Sequence, residues 1–577
     1  MGEIRIQKVP SLRLRLTPEY SPKAENGQNA SNPTAIYVHM VVRARLGRFS
    51  SARPFLSMPL NRGPTETARY DGDAMSASTI AGAPLSLHYQ DEKDGGDMMR
   101  QWYLDETLTE GDVIVQFLAP ARKTDKFTPS GPRIDLREDV SGGLIGMGEG
   151  FIPIVPPCSD DKSEEWDVAV EWAVEDAPEG TRCAWSMGDG VHCKSRGTLD
   201  SVVTHSVFAI GQLKRYPDWG AKLQKDGDRE FAMYWFGEPF LDMTTLPATT
   251  SAVFNAIASF FSSSNPFRVF MRKVHVLFGG TGATESYLLE YSDPSAGEIT
   301  EDIMTDLLAH ETVHEYALLE SSGPLPDGQQ QAELAWYDEG IANYYGCIAG
   351  HRGGALSHRQ LLKSLNGYTQ AYYTSPVINM NYDEALRRAW DNLHIMRISY
   401  GRGFMYLLAE SARLQLASNG TMSIDDITLE LYRRRVAKKS HTLFDYRSLI
   451  ADAIGKDEEN KNYEAMFRGD TIVPHPDCLA SIGLKLVRRD AERFELGFDS
   501  RPMVQEYRIR NLVKGSRAEH AGVEEGDEVV EAWMAWGAAD YLDAMMRIKV
   551  RREGKVKEIE WWPRSAEKVD CYAWVEI

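Results

Sequence analysis

Cysteine is scarce in this sequence, with 6 among 577 residues, and no two cysteines have the C-x-x-C spacing. That spacing is typical of zinc ribbons and redox-active pairs, so neither is indicated. Cys183 and Cys193 are close enough in the chain to pair, but we expect free thiols. The sequence also lacks an apolar run of membrane-spanning length, and residues Met1 to Tyr20 contain no signal-peptide core. These absences favour a cytoplasmic protein.

An excess of positive charge is missing as well. Lys and Arg number 64 against 84 Asp and Glu, which gives a formal net charge of −20. Nucleic acids and anionic membranes both bind clustered basic residues, so we expect neither of them as a partner. The hydrophobic fraction of 43% and the charged fraction of 26% are ordinary for a globular protein. A chain of this length is expected to form three or four domains.

The first two hundred residues carry strand patterns. Ile36–Arg45 and Val113–Leu118 are rich in β-branched and apolar residues. Over residues 166–174, apolar and polar residues alternate with a period of two, which is typical of a half-buried strand. We therefore predict a β-sandwich-like domain over residues 1–212.

The middle of the chain is predicted to be a second domain, at residues 213–472. Thr249–Ser264 has a helical pattern, and Arg268–Phe278 has a strand pattern that ends at two glycines. Helical patterns then dominate to about residue 455.

The last hundred residues return to short strand patterns and are predicted to be a separate domain, at residues 473–577. Lys456–Asn462 and the proline-containing stretch Gly469–Asp477 are predicted to be linker segments before it.

The stretch His310–His314 reads H-E-T-V-H. Residues four apart share one face of a helix, so His310 and His314 can direct two imidazoles to one point. Glu311 lies beside them and can reach a water molecule there. Two metal ligands and a base within two turns are what a zinc hydrolase needs. The alternative is an ordinary solvent-facing helix that happens to carry these residues.

The neighbouring residues favour a helix at this motif. Thr300 is placed to cap its N-terminus, and two acidic residues follow at the positive end of the helix dipole. Ile303 and Leu307 continue the stripe of the two histidines. We expect the helix to stop before Gly323–Pro324.

A catalytic zinc takes three protein ligands and keeps one open position. Two candidates for the third ligand follow His314: Glu333 after 18 intervening residues and Glu339 after 24. Glu339 lies in the segment W-Y-D-E-G-I-A-N-Y-Y, which resembles the W-x-x-E-G-x-x-x-Y-Y segment of gluzincin aminopeptidases. That resemblance implies that Glu339 is the third ligand. In one branch of these enzymes the spacing of 18 would select Glu333, but Glu333 is not followed by glycine. Asn343, one turn on, either hydrogen-bonds a ligand or caps local backbone.

An upstream segment, G-A-T-E-S, resembles the G-A-M-E-N segment of the same superfamily. The resemblance implies an edge strand beside the cleft, with Gly282 and Ala283 along the substrate and Glu285 on its free α-ammonium group. A buried carboxylate that pairs with an ammonium group favours substrates with a free N-terminus. Thr284 and Ser286 replace the family's Met and Asn. The alternative is an exposed glutamate after a glycine-rich turn.

A downstream segment, S-Y-G-R-G, resembles the family's Y-x-K-G. The resemblance implies that the Tyr400 hydroxyl donates to the oxyanion of the tetrahedral intermediate, a role that suits a neutral phenol. Arg402 stands in place of the family's lysine and is assigned to substrate binding. This change keeps the charge but not the geometry. A tyrosine before a helix also commonly serves packing alone.

The C-terminal residues resemble a PDZ domain. Glu495–Phe498, E-L-G-F, would be its carboxylate-binding loop, and Gly515–Asp527 matches the family's helix and following turn. Together these segments resemble the glycyl aminopeptidase family of gluzincin metallopeptidases. The resemblance implies a multidomain α+β fold: a β-sandwich-like N-terminal domain, a thermolysin-like zinc domain with a helical part, and a PDZ domain. The sequence departs from the family's G-G-x-E-H pattern before the zinc helix, so a preference for N-terminal glycine or alanine is not carried over.

The sequence therefore favours a zinc aminopeptidase with one Zn²⁺ per chain, held by His310, His314 and Glu339. Its partners would be peptides with a free N-terminus and a C-terminal peptide or protein at the PDZ domain. A zinc endopeptidase, in which Glu285 is incidental, is the first alternative. The second is a non-catalytic peptide-binding adaptor that retains a remnant metal site.

Overall fold

The computed structural model describes residues 9–20, 32–44, 49–94, 97–108, 111–125, 128, 131–157, 163–221, 223, 225–226, 229–275, 279–293, 299–320, 329–389, 391–501, 506–532 and 535–577. The chain divides into two compact units. The first comprises Met1–Phe240 with Asn265–Asp293, and the second Leu241–Ser264 with Pro294–Ile577. The protein is thus a multidomain α+β chain with a β-rich N-terminal region and a helical part. The predicted domain boundaries and the PDZ assignment stay predictions.

The first unit is built from strands. They are β1 (Ser11–Tyr20), β2 (Pro33–Arg43), β3 (Leu56–Pro59), β4 (Asn61–Arg62), β5 (Thr65–Glu66), β6 (Met75–Thr79), β7 (Pro84–Leu85), β8 (Leu87–Asp94), β9 (Asp97–Leu104), β10 (Val113–Pro120), β11 (Arg137–Glu138), β12 (Leu144–Met147), β13 (Trp166–Trp172), β14 (Arg182–Trp185), β15 (Gly188–Asp189), β16 (His192–Gly197), β17 (Val207–Gly211), β18 (Leu213–Tyr216), β19 (Lys225–Asp226), β20 (Arg229–Phe236), β21 (Phe267–Lys273), β22 (Gly279–Ala283) and β23 (Ser286–Tyr291).

These strands form several sheets. The largest has the order β16-β13-β1-β2-β10-β6-β7, a second has β11-β12-β17-β14-β15, and a third has β18-β20-β21-β23-β22 with β19 paired to β20. Smaller sheets have the orders β3-β9-β8 and β4-β5. Most neighbours are antiparallel, but β1 pairs with β13, β20 with β21 and β21 with β23 in parallel.

The core of the largest sheet follows from strand alternation. Val170, Leu14, Met40 and Val115 lie in one row across β13, β1, β2 and β10, and all four are buried. The alternation predicted over residues 166–174 is confirmed over 166–172, where the apolar residues of β13 are buried and those between them are half-buried or exposed. It is wrong at the last two positions, where β13 has ended, Ala173 is buried and Val174 is half-buried. One face of this sheet therefore packs into the core.

The second and third sheets share a core. Buried apolar residues of β12, β14 and β17 pack with those of β18, β20, β21 and β23. A buried ion network joins the same sheets: Arg272 Nη2 lies 2.6 Å from Glu290 Oε1, and Arg272 Nη1 donates to the Ile145 carbonyl at 2.9 Å. Because the guanidinium has both charge and carbonyl partners, its burial is compensated. The strand predicted over Arg268–Phe278 corresponds to β21, and residues 276–278 lie outside the described part.

The second unit carries the helices. They are α1 (Leu246–Phe260), α2 (Glu301–His314), α3 (Gln329–Arg352), α4 (His358–Thr374), α5 (Tyr382–Arg387), α6 (Leu393–Met396), α7 (Ile398–Ala417), α8 (Ile424–Val436), α9 (Leu443–Ile454), α10 (Lys456–Arg468), α11 (Arg517–Ala521) and α12 (Ala535–Asp540). Its strands are β24 (Leu484–Phe494), β25 (Glu528–Ala532), β26 (Met546–Arg552), β27 (Lys555–Trp561) and β28 (Arg564–Glu576).

The N-terminus of α2 is capped as predicted. Thr300 Oγ1 accepts a hydrogen bond from the Ile303 N–H at 3.3 Å. The core-facing side of the helix carries Met304, Leu308 and Val313, whereas Ile303 is half-buried. The predicted stripe therefore lies beside the core face, on the side that carries the two histidines. The helix ends at His314, and the predicted stop at Gly323–Pro324 lies outside the described residues.

Helices α3 and α7 cross at two glycines. A Cβ on Gly403 would lie 1.8 Å from the Trp336 carbonyl oxygen, and one on Gly340 would lie 2.5 Å from the Gly403 carbonyl carbon. No side chain fits between the two backbones at this point, so the helices approach more closely than side-chain packing permits.

The linker predicted at Lys456–Asn462 is wrong, because this stretch is the first half of α10. Acidic residues in the first turn suit the positive end of the helix dipole. Glu459 is buried and accepts from Arg447 Nε at 2.6 Å, and Met466 is fully buried. Tertiary packing thus stabilises a segment whose polar composition alone indicates a loop.

The residues after 483 form a small β-rich module within the second unit. Strand β24 pairs along its length with β28, and β25, β26 and β27 form a second sheet. The side chains of Leu496 and Phe498 belong to a core together with residues of α11, α12 and these strands. Leu393 of α6 packs against the same core, so the module is joined to the helices by apolar contact.

The cysteines among the described residues, Cys183, Cys193, Cys347, Cys478 and Cys571, are buried free thiols, as predicted; Cys158 lies outside the described part. No helix in the described part of the chain is both long and apolar enough to cross a membrane.

Candidate metal centre

Three predicted ligands converge between α2 and α3. His310 Nε2 lies 3.2 Å from His314 Nε2 and 3.1 Å from Glu339 Oε2, and His314 Nε2 lies 3.7 Å from the same carboxylate oxygen. The i, i+4 spacing on α2 places both histidines on one face, as expected. Helix α3, which follows α2 in the chain, contributes Glu339. The three ligand atoms lie within 4.8 Å of one another.

The separations of these atoms fit a zinc ion. Ligand atoms at the usual distance of about 2.0–2.1 Å from Zn²⁺ lie about 3.3–3.4 Å apart at tetrahedral angles. The three observed separations between ligand atoms, 3.1, 3.2 and 3.7 Å, fall on either side of that value. Two imidazole nitrogens and a carboxylate oxygen are also a donor set that zinc commonly takes in catalytic sites. The three side chains therefore suit zinc in both chemistry and spacing.

Asn343 fixes the orientation of His310. Its Oδ1 accepts from His310 Nδ1 at 2.8 Å, and both side chains are buried. With the proton held on Nδ1, the lone pair of Nε2 faces the other two ligands. The amide also reaches the Tyr400 carbonyl, at 3.5 Å from Asn343 Nδ2. Of the two roles considered for Asn343, the contacts match support of a ligand.

Burial and neighbouring groups set the protonation states of Glu339 and His314. Burial opposes ionisation of Glu339, yet the histidines and Tyr400 hold the pKa of its carboxyl below the ordinary value. Burial, followed by the neighbouring His310, lowers the pKa of His314 to about 4. At neutral pH the cluster therefore offers a carboxylate and at least one neutral imidazole, the forms that bind metals.

Tyr400 lies beside the cluster in the first turn of α7. Its ring stacks on the His310 ring at a centroid distance of 5.8 Å and an angle of 15°. Burial raises the pKa of the Tyr400 hydroxyl well above the ordinary value, and Glu339 and Glu311 raise it further. The phenol therefore keeps its proton and is available as a neutral donor.

Glu311 is half-buried on α2. Burial lowers the pKa of His310, whereas Glu339 and Glu311 raise it; burial, Glu339 and Glu311 all raise the pKa of Tyr400. The Glu311 carboxylate therefore lies near both His310 and Tyr400.

Glu285, Gly282 and Ala283 lie in the first unit, on a β-hairpin. Gly282 and Ala283 belong to β22, which ends the order of the third sheet. Glu285 lies in the turn to β23 with φ of 50°, and its carbonyl accepts from the Arg268 N–H at 2.9 Å. Burial raises the pKa of its half-buried carboxyl, against the opposing charge of Arg268. The edge strand implied by the resemblance is present, and the substrate-binding role of these residues stays a prediction.

Arg402 lies on α7 two residues after Tyr400 and is fully buried. Its Nη2 donates to the carbonyls of Ile378 and Met380, at 2.8 and 2.7 Å. Its assignment to substrate binding stays a prediction.

The alternative ligand Glu333 lies on α3, six residues before Glu339, and its side chain lies outside the described part. In the C-terminal module, the E-L-G-F segment follows β24 directly, and Gly497 has φ of +95°. A Cβ there would lie 2.6 Å from the Ala518 side chain, which explains the glycine.

Sequence reasoning missed the crossing of α3 and α7. Gly340 directly follows Glu339, and Gly403 follows Tyr400 by three residues. Both glycines occur in the segments that predict the site, but a sequence pattern does not show that they touch each other. Their contact brings the helix of Glu339 and Asn343 against the helix of Tyr400.

Comparisons with solved structures give the fold. An aminopeptidase N family protein from Idiomarina loihiensis aligns with 98% of this chain and 98% of its own, at a TM-score of 0.62 and 13% identity. An M1 zinc metallopeptidase from Deinococcus radiodurans, bound to Tyr-Ser-Ala, aligns over 82% of this chain and 96% of its own, with a TM-score of 0.47 and 14% identity. Yeast LTA4 hydrolase in complex with bestatin aligns over 84% and 71%, with a TM-score of 0.46 and 13% identity.

No protein-family model matches the sequence, and no curated protein matches it at a significant level. The likeness to the Idiomarina loihiensis protein spans nearly the whole of both chains, and its TM-score shows a shared fold. The protein therefore has the multidomain architecture of that aminopeptidase N family protein.

Proposed function

We propose that this protein is a zinc-dependent aminopeptidase that hydrolyses the N-terminal residue from peptides. The observation that carries the proposal is the convergence of His310 Nε2, His314 Nε2 and Glu339 Oε2, with their separations of 3.1–3.7 Å. Further support comes from the fold shared with an aminopeptidase N family protein.

His310, His314 and Glu339 would hold one Zn²⁺ per chain. The metal would supply Lewis acidity, polarising the scissile carbonyl and lowering the pKa of water. Asn343 holds the His310 ring in position through its bond to Nδ1.

Glu311 is the proposed general base. It accepts a proton from the attacking water and passes it to the nitrogen of the leaving amine. Its place on α2, next to His310, supports this role.

Tyr400 is the proposed donor to the oxyanion that develops on the carbonyl. Its raised pKa keeps the hydroxyl protonated, so a neutral hydrogen-bond donor meets the developing charge.

Glu285 is proposed to bind the α-ammonium group of the substrate, and Gly282 and Ala283 to lie along it. An ion pair between a half-buried carboxylate and an ammonium group would favour peptides with a free N-terminus. Burial raises the pKa of the Glu285 carboxyl, and an ammonium group bound beside it would favour the charged form.

The C-terminal module is proposed to be PDZ-like and to bind the C-terminus of a peptide or protein. The support is its E-L-G-F segment, whose apolar side chains lie in the module core. A cytoplasmic location is proposed from the sequence composition.

The test is hydrolysis of aminoacyl-anilides, free and N-acetylated, with zinc quantified in the same sample. An aminopeptidase cleaves only the free forms and contains about one zinc per chain, as a three-ligand site requires. Cleavage of N-acetylated substrates would favour an endopeptidase instead. Zinc without cleavage of either form would favour longer peptides or an adaptor, and a protein that takes up no zinc would contradict the mechanism.

A further inference from the structure

A small cavity of about 40 Å³ lies behind the metal centre, within the second unit. Tyr400 and Arg402 line it from the N-terminal part of α7, and Asn343 lines it from α3. The C-terminal module contributes Phe494 and Ala539 to its wall. Because a single water needs roughly 10–15 Å³ of such volume, the cavity has room for about three water molecules or one small ion.

Arg402 brings a buried positive charge to this cavity. Its side chain is fully buried, and its Nε and Nη1 atoms have no hydrogen-bond partner. The bonds from Nη2 go to neutral carbonyls, and the groups that act on its pKa, after burial, are two tyrosines rather than carboxylates. Among the described residues, no acidic side chain therefore compensates this guanidinium. An arginine cannot discharge by losing its proton, so the charge needs a partner from elsewhere.

Other groups add positive charge around the same cavity. Arg397 also lines it and is paired with Asp540 of the module. The cavity also faces the first turn of α7, the positive end of a 20-residue helix. Of the two guanidinium groups in the wall, Arg397 is therefore paired with a carboxylate, whereas the hydrogen bonds of Arg402 go only to carbonyls.

His394 also lines the cavity, and the centre of its ring lies 4.8 Å from that of Phe494. Burial lowers the pKa of His394 to about 4, with Arg397 and Arg564 contributing. The ring is therefore neutral at physiological pH and adds no charge of its own.

We propose that this cavity binds a small monovalent anion, such as chloride or formate, with Arg402 as its principal partner. The free Nε and Nη1 atoms are donors suited to a halide or to a small carboxylate. The proposal adds a site to the protein and does not depend on peptidase activity.

The first test is diffraction from crystals of the full-length protein grown or soaked in sodium bromide. Anomalous scattering should place bromide within hydrogen-bond distance of Arg402 Nε or Nη1. An empty cavity in crystals whose surface sites hold bromide would overturn the proposal. This measurement uses the native chain, so it does not depend on a variant that folds.

The second test is thermal unfolding at constant ionic strength, with gluconate replaced stepwise by chloride or bromide. The native protein should show a saturable rise in melting temperature. Arg402→Gln keeps an amide that can donate to one of the carbonyls but removes the charge. It should raise the anion concentration at which half of the rise in melting temperature is reached by about tenfold or more.

Arg564→Gln is the matched control. Arg564 is as fully buried and also donates to two carbonyls through one nitrogen, but it does not line the cavity. Its variant should retain a saturable response. An equal loss of the response in both variants, or its survival in Arg402→Gln, would assign the effect to general salt stabilisation and contradict the site.

Discussion

Glu311 is the residue at which chemistry and metal binding can be separated. Glu311→Gln keeps the size of the side chain and leaves His310, His314 and Glu339 in place. We expect the variant to bind zinc normally and to lose about 10²- to 10⁴-fold in kcat, because the amide cannot accept the proton. Turnover of a free aminoacyl-anilide and zinc content, both measured on one preparation, check this.

Glu301→Gln is a suitable control, since Glu301 is exposed in the first turn of the same helix. It should keep near-native turnover. Substantial turnover by Glu311→Gln at full zinc occupancy would remove Glu311 as the base.

Asn343 acts on the metal through His310, so its loss should appear in affinity. We expect Asn343→Ala to weaken zinc binding by about 10- to 100-fold, because the His310 ring loses the acceptor that orients it. Competition with a chelator measures the dissociation constant. Asn366→Ala is the control, because Asn366 bonds the backbone of Trp574 instead of a ligand. Equal zinc affinity in both variants would contradict a role for Asn343 at the metal.

The ligand cluster could be predicted from local spacing, whereas the environment of Arg402 could not. His310 and His314 are four residues apart, so helix geometry alone brings them together. Glu339 needed a resemblance, because nothing in its spacing excludes Glu333. The burial of Arg402 without a counter-charge depends on segments distant in sequence, among them the carbonyls of Ile378 and Met380.

At the scale of elements, the crossing of α3 and α7 sets the distance between Glu339 and Tyr400. We expect Gly403→Ala to destabilise the protein by about 1–3 kcal/mol or more, because the new methyl group would meet the Trp336 carbonyl. The displaced helices should also lower turnover. Denaturant unfolding and turnover of the folded fraction measure the two effects.

The matched substitution is Gly537→Ala on α12, where an added Cβ meets no atom within 4 Å. It should be neutral or stabilise the protein by up to about 1 kcal/mol, because alanine is the better helix former. Native stability and turnover in Gly403→Ala would show that the helices can separate without cost to the site.

The elements also show where local sequence is a sufficient guide. Strand β13 was predictable because its alternation has a single buried face. Helix α10 was not, because Lys456–Asn462 is polar and the segment is stabilised by Met466 and by the buried pair of Glu459 with Arg447. Arg447 lies on α9, so the polar pattern of Lys456–Asn462 alone does not reveal its pairing with Glu459.

At the scale of the whole molecule, side chains of the helices in the second unit contact side chains of the C-terminal module. The sequence predicted a break near residue 472, from its prolines and the change of pattern. The structure joins the two through paired side chains: Tyr373 with Tyr572 at 4.7 Å, His394 with Phe494, and Arg397 with Asp540. Such contacts between distant segments leave no mark in the local sequence.

Trp574 tests whether the module and the helices unfold together. It lies on β28, is almost fully buried, and donates from Nε1 to Thr369 Oγ1 of α4 at 3.0 Å. We expect Trp574→Ala to destabilise the protein by about 3–5 kcal/mol, since it removes a large buried side chain from this interface. Trp574→Phe should cost less, because it keeps most of the apolar contact and loses mainly the hydrogen bond. Urea unfolding, monitored by zinc release and by tryptophan fluorescence, shows whether the module and the helices unfold together or separately. Coincident transitions that shift together in Trp574→Ala indicate one cooperative unit. A module that unfolds first while zinc stays bound would show that it is energetically separate, and that it can be removed without loss of the metal centre.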